Sequence, residues 1–259
     1  MILFPSVPDG EPLTVSATLY RAYLACPEQA LGRLRGEYPA ESVPGFRGSL
    51  AHRIFARHLA EGPIPAEELV QACREEIGAA LNPKLEALGL NKPSALAPIL
   101  AEVGDLYARF KRFPTDGFRA AEVDIEKDVG GSVTLRGRVD AIFDDPDWGV
   151  RIVDWKTGSY LGDAGHQLDF YAMAWTIERG RMPGRVEAVS VQTGERVGIE
   201  PTEDAVVATS VEVAAMIAEL RHGFGTRQNL ERRGGPMCRF CALLDECGEG
   251  QAAVAVTGT

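Results

Sequence analysis

The segment that most constrains the fold is a run of three β-rich stretches in the middle of the chain. Residues 120–129 and 132–143 alternate apolar and polar side chains, and Gly130-Gly131 between them is typical of a two-residue hairpin turn. A third stretch, residues 150–156, follows a turn-rich segment of aspartates, proline and glycine. The pattern predicts neighbouring strands of one sheet.

Helical patterns flank these strands. Ser16 is a plausible N-cap for a helix through Tyr20 and Leu24, and Pro27 interrupts that helix or starts another. The other predicted elements are helices over about 49–60, 65–88, 94–113, 166–179 and 203–222, a hairpin over 185–200, and a frayed tail over 248–259. This order predicts an α/β protein with a mixed β-sheet flanked by helices.

Charge and hydropathy exclude several classes of protein. The 259 residues carry a net charge of −10, which argues against bulk coating of nucleic acid but not against an enzyme that meets DNA locally. Because no run of 18 apolar residues occurs, we expect no membrane span, and the first residues lack the pattern of a signal peptide. We therefore expect a cytoplasmic protein, whose five cysteines are thiols or metal ligands rather than disulfides.

Three acids and a lysine lie on the predicted strands. Side chains two apart on a strand share a face, so Asp154 and Lys156 point the same way while Trp155 points to the core. Asp140 lies on a neighbouring predicted strand, and Glu122 lies on the first strand of the hairpin. Taken singly, each acid is typical of a solvated strand residue, and Asp154 with Lys156 could be a surface salt bridge. Together the acids could converge on one Mg²⁺.

Such a group would suit hydrolysis of a phosphodiester. A metal held by Asp140 and Asp154 would polarise the phosphate and lower the pKa of a bound water. Lys156 would orient that water or neutralise the charge that grows on the phosphorane. Whether one or two metals act is open.

Three motifs resemble the RecB-like branch of the PD-(D/E)XK nucleases. They are residues 137–140 (Gly-Arg-Val-Asp), 153–158 (Val-Asp-Trp-Lys-Thr-Gly) and 167–171 (Gln-Leu-Asp-Phe-Tyr). The resemblance implies a restriction-endonuclease-like core in which Asp140 and Asp154 bind metal and Lys156 is catalytic. It also implies that Gln167 and Tyr171, which share one helix face, align the active site and the substrate.

A histidine on an N-terminal helix belongs to the same resemblance. His52 follows Gly48 by four residues, as the family histidine follows its glycine, which implies a metal ligand through a neutral imidazole nitrogen. Glu122 matches a less regular acidic position of the family. The alternative for His52 is a core histidine, because it shares a helix face with Phe55 and Leu59.

Three cysteines near the end of the chain require a fourth ligand. Cys238, Cys241 and Cys247 follow a C-x2-C-x5-C spacing, and Cys73 or Cys26 must complete the set. Cys73 lies in a predicted amphipathic helix, where a cysteine is usually a small core residue, whereas Cys26 ends a helix beside a proline; we favour Cys26. Four thiolates suit zinc or a 4Fe–4S cluster. The RecB-like resemblance implies the cluster, as a structural staple.

The resemblance implies a metal-dependent DNA exonuclease that acts on DNA ends, preferentially single-stranded, with Mg²⁺ or Mn²⁺. In size and layout the chain is most similar to the CRISPR-associated RecB-family exonucleases of antiviral defence, which trim DNA for spacer integration; recombination and repair relatives share the motifs. The implied partners are DNA and either an integrase complex or a separate helicase chain. The alternatives are a non-cleaving iron–sulfur DNA-binding or scaffold subunit and a zinc-stapled endonuclease.

The expected organisation has three parts. Residues 1–117 form an N-terminal helical region that carries Cys26 and His52, residues 118–222 form the nuclease core, and residues 223–259 form a C-terminal iron–sulfur clamp and tail. Six arginines of the N-terminal helices either form a solvated face or line a path for DNA. They are Arg21, Arg33, Arg35, Arg47, Arg53 and Arg57.

Overall fold

The computed structural model describes residues 2–257, and in this part of the chain six strands form one mixed sheet. The strands are β1 (Leu13–Ser16), β2 (Phe118–Asp128), β3 (Val133–Asp145), β4 (Gly149–Lys156), β5 (Arg185–Ser190) and β6 (Arg196–Ile199). The expected mixed sheet flanked by helices is therefore confirmed.

The long strand β3 organises the sheet. β2 runs antiparallel along one side of it. On the other side, β1 pairs parallel with residues 133–136, and β4 pairs antiparallel with residues 141–145. β5 then pairs parallel with β4, and β6 pairs antiparallel with β5. Because β1 and β4 follow one another along the same side of β3, the sheet opens between them at residues 137–140, a place we call the fork.

The helices pack on both faces of the sheet. They are α1 (Ala17–Ala25), α2 (Pro27–Leu34), α3 (Val43–Glu61), α4 (Leu69–Glu76), α5 (Asn82–Ala87), α6 (Pro93–Phe110), α7 (Gly165–Arg179), α8 (Glu203–Thr226) and α9 (Gly248–Thr257). A π-helical turn (Ile77–Leu81) joins α4 to α5, and two 3-10 turns (Pro236–Phe240 and Leu244–Glu246) precede α9. None of the helices in the described part of the chain has the length and hydropathy that a bilayer crossing needs.

Two apolar clusters lie on opposite faces of the sheet. The α7-side cluster combines residues of α1, α7 and α8 with Ile152 of β4. The α3-side cluster combines residues of α3 and α6 with Val153 and Trp155 of the same strand. The alternation predicted for β4 is therefore confirmed, and Trp155 packs edge-on against Phe110 at 5.0 Å between ring centroids. This packing anchors the end of β4, where Asp154 and Lys156 lie.

Several local predictions are confirmed in detail. The Oγ of Ser16 accepts a hydrogen bond from the backbone N–H of Leu19 at 3.2 Å, as expected of an N-cap, and Pro27 starts α2. The hairpin of β2 and β3 turns at the predicted glycines, although its loop has three residues, 130–132, and not two, because Val129 donates to Val133 across it. Helices α6, α7 and α8 begin within one residue of their predicted starts.

Three expectations are wrong. The helix predicted over 65–88 begins at Leu69 and is interrupted by the π-helical turn, because Pro83 has no amide proton to continue an α-helix. The helix predicted from 49 begins at Val43, where the Oγ of Ser42 caps it by accepting from the N–H of Gly45 at 3.2 Å.

The third concerns the tail, which was expected to fray but forms α9 up to Thr257, while residues 258–259 lie outside the described chain. The Gln251 side chain holds the helix in place, because its Nε2 donates to the carbonyls of Leu244 and Asp245 at 3.1 and 2.9 Å.

Candidate active site and cysteine cluster

The acids of the predicted site meet at the fork. The Ala141–Val153 pair is the last regular pair between β3 and β4, and continuing its register puts Asp140 opposite Asp154. There the Oδ2 of Asp140 accepts a hydrogen bond from the backbone N–H of Trp155 at 2.7 Å. The Asp140 carboxylate thus accepts the hydrogen bond that a backbone carbonyl of a neighbouring strand would otherwise accept, at the point where β4 separates from β3.

A local irregularity of the hairpin shapes the same place. Glu122 has a φ of 50°, a left-handed conformation that costs energy in a residue other than glycine. On the partner strand, Val139 packs in the α7-side cluster although Ala141 packs in the α3-side cluster, so the alternation of β3 breaks at Asp140. The irregularity brings the Glu122 carboxylate to His52 of α3.

His52, Glu122 and Asp140 form a group that fits a divalent cation. One ligand atom from each lies within 4.8 Å of the others, and no other such group of three occurs in the described part of the chain. The Nδ1 of His52 lies 3.1 Å from the Oδ1 of Asp140. An imidazole nitrogen with two carboxylate oxygens suits Mg²⁺ or Mn²⁺, which take mainly oxygen ligands.

The pKa values show how much negative charge the fork concentrates. Burial raises the pKa of Asp154 to about 6, and the charge of Asp140 adds to this effect even though Lys156 opposes it. Burial, followed by Asp140, also raises the pKa of Glu122. Burial lowers the pKa of His52, but the neighbouring carboxylates, Asp140 foremost, outweigh it and raise the pKa to about 9. A bound cation would offset this repulsion.

A second set of contacts joins β4 to α7. The Nζ of Lys156 lies 2.7 Å from the Oδ2 of Asp154 and donates to the Oε1 of Gln167 at 2.7 Å. The Nε2 of Gln167 donates to the Oδ1 of Asp154 at 2.8 Å and to the hydroxyl oxygen of Tyr171 at 3.0 Å. Gln167 therefore bridges the acid and the lysine. Because both Asp154 oxygens face these partners, Asp154 lies beside the group of three and not within it.

An open cleft of about 510 Å³ leads to the acids. Its charged and polar lining consists of Ser49, His52, Arg53, Glu122, Arg138, Asp140 and Thr157. A Cβ on Gly48 would lie 3.3 Å from the Oγ1 of Thr157, so a glycine there lets α3 approach the end of β4 closely. The cleft leaves the ligand atoms accessible to a substrate.

The N-terminal arginines are largely engaged in ion pairs. Arg57 lies 3.1 Å from Glu61 and 2.7 Å from Glu75, and Arg47 lies 2.6 Å from Glu102. From this set, Arg53 lines the cleft. Arg138 lines the cleft as well, a position not predicted from the sequence, although strand alternation from Asp140 puts Arg138 on the same side as that acid.

The four predicted cysteines line one small pocket. Cys26, between α1 and α2, faces Cys238, Cys241 and Cys247 around a space of about 50 Å³. Backbone amides point at three of the sulfurs: those of Arg233, Gly235 and Gly250 lie 3.4, 3.3 and 3.3 Å from the Sγ atoms of Cys26, Cys238 and Cys247. Cys73 is buried in the α3-side cluster instead.

A buried glutamate holds the two halves of this pocket together. Glu28, 2% exposed, accepts from the backbone N–H of Leu230 at 2.6 Å and from Arg35 at 3.2 Å. Its own amide donates to the carbonyl of Glu231 at 3.2 Å. These bonds tie the start of α2, and with it Cys26, to the segment that leads to the other three cysteines.

The substitution Glu28→Gln is expected to lower the free energy of unfolding by about 1.5–3 kcal/mol, because hydrogen bonds to a buried charged group are lost. Urea denaturation measures this change. Glu231→Gln is the matched control from the same segment, since its side chain is 61% exposed and its ion pair with Arg233, screened by solvent, should contribute little to stability. Equal effects of the two variants would contradict the role given to Glu28.

Comparisons with known proteins agree with this architecture. The family model of the PD-(D/E)XK nuclease superfamily matches residues 14–248. No curated protein matches the chain significantly. The crystal structure of a protein from Eubacterium rectale described as "Putative exonuclease" superposes with a TM-score of 0.53 at 14% identity, over 89% of this chain and 86% of that chain. At this identity the likeness concerns the fold alone.

A second structure, SSO0001, aligns at 21% identity over 77% of this chain and 94% of that chain, but its TM-score of 0.33 is too low to support an argument.

Proposed function

The chain belongs to the PD-(D/E)XK nuclease superfamily, and from this premise we propose that it is a metal-dependent DNA exonuclease that hydrolyses phosphodiester bonds at DNA ends, preferentially in single strands. The observation that carries the proposal is the group of His52, Glu122 and Asp140 beside the contact between Asp154 and Lys156. A surface salt bridge does not account for it, because the Asp154 side chain is only 6% exposed and lies beside another acid.

We propose His52, Asp140 and Asp154 as metal ligands, with Glu122 as a further acid of the site. When bound there, a divalent cation supplies charge to the phosphate and lowers the pKa of a water. Asp154 is proposed as a ligand because it lies opposite Asp140 at the fork and because, within the described part of the chain, its buried Oδ2 accepts no well-aligned hydrogen bond, although the Nζ of Lys156 lies 2.7 Å away.

Lys156 is the group that would stabilise the transition state. Its ammonium is about one quarter exposed and lies at the end of β4, where it can donate to a phosphate oxygen as charge develops. Gln167 fixes it in place from α7. Because the Asp154 carboxylate can only accept and the Lys156 ammonium can only donate, the Nε2 of Gln167 faces the acid and its Oε1 faces the lysine. Gln167, with Tyr171 beside it, thus aligns the acid and the lysine.

The preference for single strands rests on the cleft and on the family resemblance. A cleft of about 510 Å³ has the size of a small-ligand site, which suits a single strand better than the full width of a duplex.

We further propose that Cys26, Cys238, Cys241 and Cys247 hold a 4Fe–4S cluster. Four thiolates suit either zinc or a 4Fe–4S cluster, and all four cysteines line one pocket. The order of the cysteines, one before His52 and three after the helix of Gln167 and Tyr171, resembles that of the RecB-like nucleases with a cluster and favours the cluster over zinc.

The resemblance to CRISPR-associated exonucleases favours a role in CRISPR adaptation, with an integrase complex as partner; recombination or repair beside a separate helicase chain is the alternative. A non-cleaving scaffold subunit is less well supported, because it would have no use for the buried Asp154 and its lysine. Binding of the purified chain to an integrase encoded beside it would support the CRISPR role.

Cleavage of linear but not circular DNA tests the proposed activity. Anaerobically purified protein is incubated with end-labelled linear and covalently closed circular single-stranded DNA, in Mn²⁺ or EDTA. We expect shortening of the linear DNA in Mn²⁺ alone. We expect Lys156→Ala to slow it by about 10²–10³-fold, because a charged donor to the reacting phosphate is lost.

Equal rates for Lys156→Ala and the unchanged protein would show that the site is elsewhere. Equal cleavage of circular DNA would identify an endonuclease.

A further inference from the structure

Arg138 has a free edge that faces the cleft. Its Nε and one terminal nitrogen donate to the two carboxylate oxygens of Asp124 at 2.8 and 3.1 Å. This paired contact fixes the guanidinium plane. The other terminal nitrogen lies 3.6 Å from Glu122, too far for a good hydrogen bond. Arg138 therefore keeps unused N–H groups beside the acids of the fork.

Arg136, on the same strand, provides a comparison that shows what is specific to the position of Arg138. Both arginines lie on β3 and face an acid of β2 across the same ladder, Arg138 opposite Asp124 and Arg136 opposite Glu126. Their side chains are similarly exposed, at 50% and 58%. They differ in that Arg138 lines the cleft whereas Arg136 lies two residues farther from the fork. A role that belongs to the cleft should therefore belong to Arg138 alone.

A positively charged side chain is needed in the cleft lining to bring DNA to the acids. A chain with a net charge of −10 must admit a polyanion to a cleft that already contains Glu122 and Asp140. Across the cleft, Arg53 is 3.5 Å from Glu76 and so is partly neutralised. Arg138 is partly neutralised too, by Asp124 and Glu122, but its two-point contact with Asp124 fixes the guanidinium plane and leaves further N–H donors for a second anion.

We propose that Arg138 binds a backbone phosphate of the DNA strand next to the bond that is cleaved, with Asp124 as the residue that positions its guanidinium. The inference rests on the proposed nuclease function and adds a substrate contact to it. Such a contact reads the phosphodiester backbone and not the bases. It should therefore act equally on all sequences.

Binding of single-stranded DNA by Arg138→Ala and Arg136→Ala tests the proposal. Fluorescence anisotropy of a labelled oligonucleotide is followed in Ca²⁺, which keeps a divalent ion present while slowing hydrolysis, from about 50 to 200 mM salt. We expect Arg138→Ala to weaken binding several-fold for every sequence. The slope of log affinity against log salt should become less steep by about 0.7, the value for one phosphate contact on a single strand.

Arg136→Ala removes the same charge from the same strand and should leave affinity and slope unchanged. Arg138→Ala loses its ion pairs with Asp124 and Glu122, and Arg136→Ala loses the one with Glu126; because both arginines are at least half exposed, the unfolding temperatures of the two variants should be similar. Equal binding by the two variants would overturn the proposal while Mn²⁺-dependent cleavage by the unchanged protein still supports the nuclease function. If the unchanged protein neither binds nor cleaves single-stranded DNA, the nuclease function fails as well.

Discussion

Replacement of Asp154 by asparagine is expected to reduce Mn²⁺-dependent hydrolysis of DNA by about 10³-fold or more. The amide keeps the size of the carboxylate and can still accept from Gln167, but it brings no charge to a metal or to Lys156. Loss of several kcal/mol of charge stabilisation corresponds to this factor, since each ~1.4 kcal/mol is tenfold in rate. Single-turnover cleavage of end-labelled DNA measures it.

The unfolding temperature of the Asp154→Asn variant distinguishes a catalytic role of Asp154 from a structural one. The asparagine removes the repulsion between two carboxylates that lie opposite each other at the fork, and Lys156 keeps Gln167 as an acceptor. The unfolding temperature in EDTA should therefore not fall. Asp144→Asn is the matched control, because Asp144 lies on the neighbouring strand β3 but is 67% exposed and pairs with Arg119. Full activity is expected of this control.

Two outcomes would show that Asp154 has no catalytic role. One is hydrolysis by Asp154→Asn at the rate of the unchanged protein. The other is a large fall in its unfolding temperature, which would mean that the carboxylate serves the fold and that the loss of activity is indirect.

The contacts within β4 and α7 were predictable because they depend on local spacing. Asp154 and Lys156 are two apart on a strand, and Gln167 and Tyr171 are four apart on a helix. Either spacing puts side chains on one face whatever the rest of the chain does. The observed hydrogen bonds among the four residues follow from these spacings once α7 packs on β4.

The fork was not predictable, because it depends on a long-range pairing. The fork forms because β1 pairs parallel with the first part of β3. β1 is only four residues long and lies more than one hundred residues before β3 in the chain. Four residues are too few for an alternation pattern to identify a strand. The left-handed φ of Glu122 likewise has no sequence signal, since such conformations usually belong to glycine or asparagine.

The sequence predicted which cysteines line the pocket but not which contacts bring them together. Cys26 could be chosen over Cys73 from the proline beside it and from the order of motifs in the family. The means by which the ends of the chain meet could not be inferred, because Glu28 and Gln251 act on backbone groups of distant segments. Hydrogen bonds of this kind leave no periodic pattern in a sequence.

Cys26→Ser is expected to remove bound iron and the visible absorbance of the cluster, and to destabilise the fold by several kcal/mol or more. Of the four proposed ligands, Cys26 alone lies outside the C-terminal segment, so its loss should open the link between the two ends of the chain. Closing so long a loop restricts the unfolded chain more than a local site would. Iron analysis, the absorption spectrum and proteolysis of residues 228–257 measure the effect.

Cys73→Ala is the control for this substitution. Cys73 is fully buried in the α3-side cluster, and burial raises the pKa of its thiol to about 11, which makes it a poor metal ligand. The alanine should keep both iron and colour, at the cost of the small cavity that a removed sulfur leaves. If the alanine variant loses the colour while Cys26→Ser keeps it, the ligand set is wrong. Zinc in place of iron in the anaerobically purified protein would leave the ligand set intact and overturn the cluster.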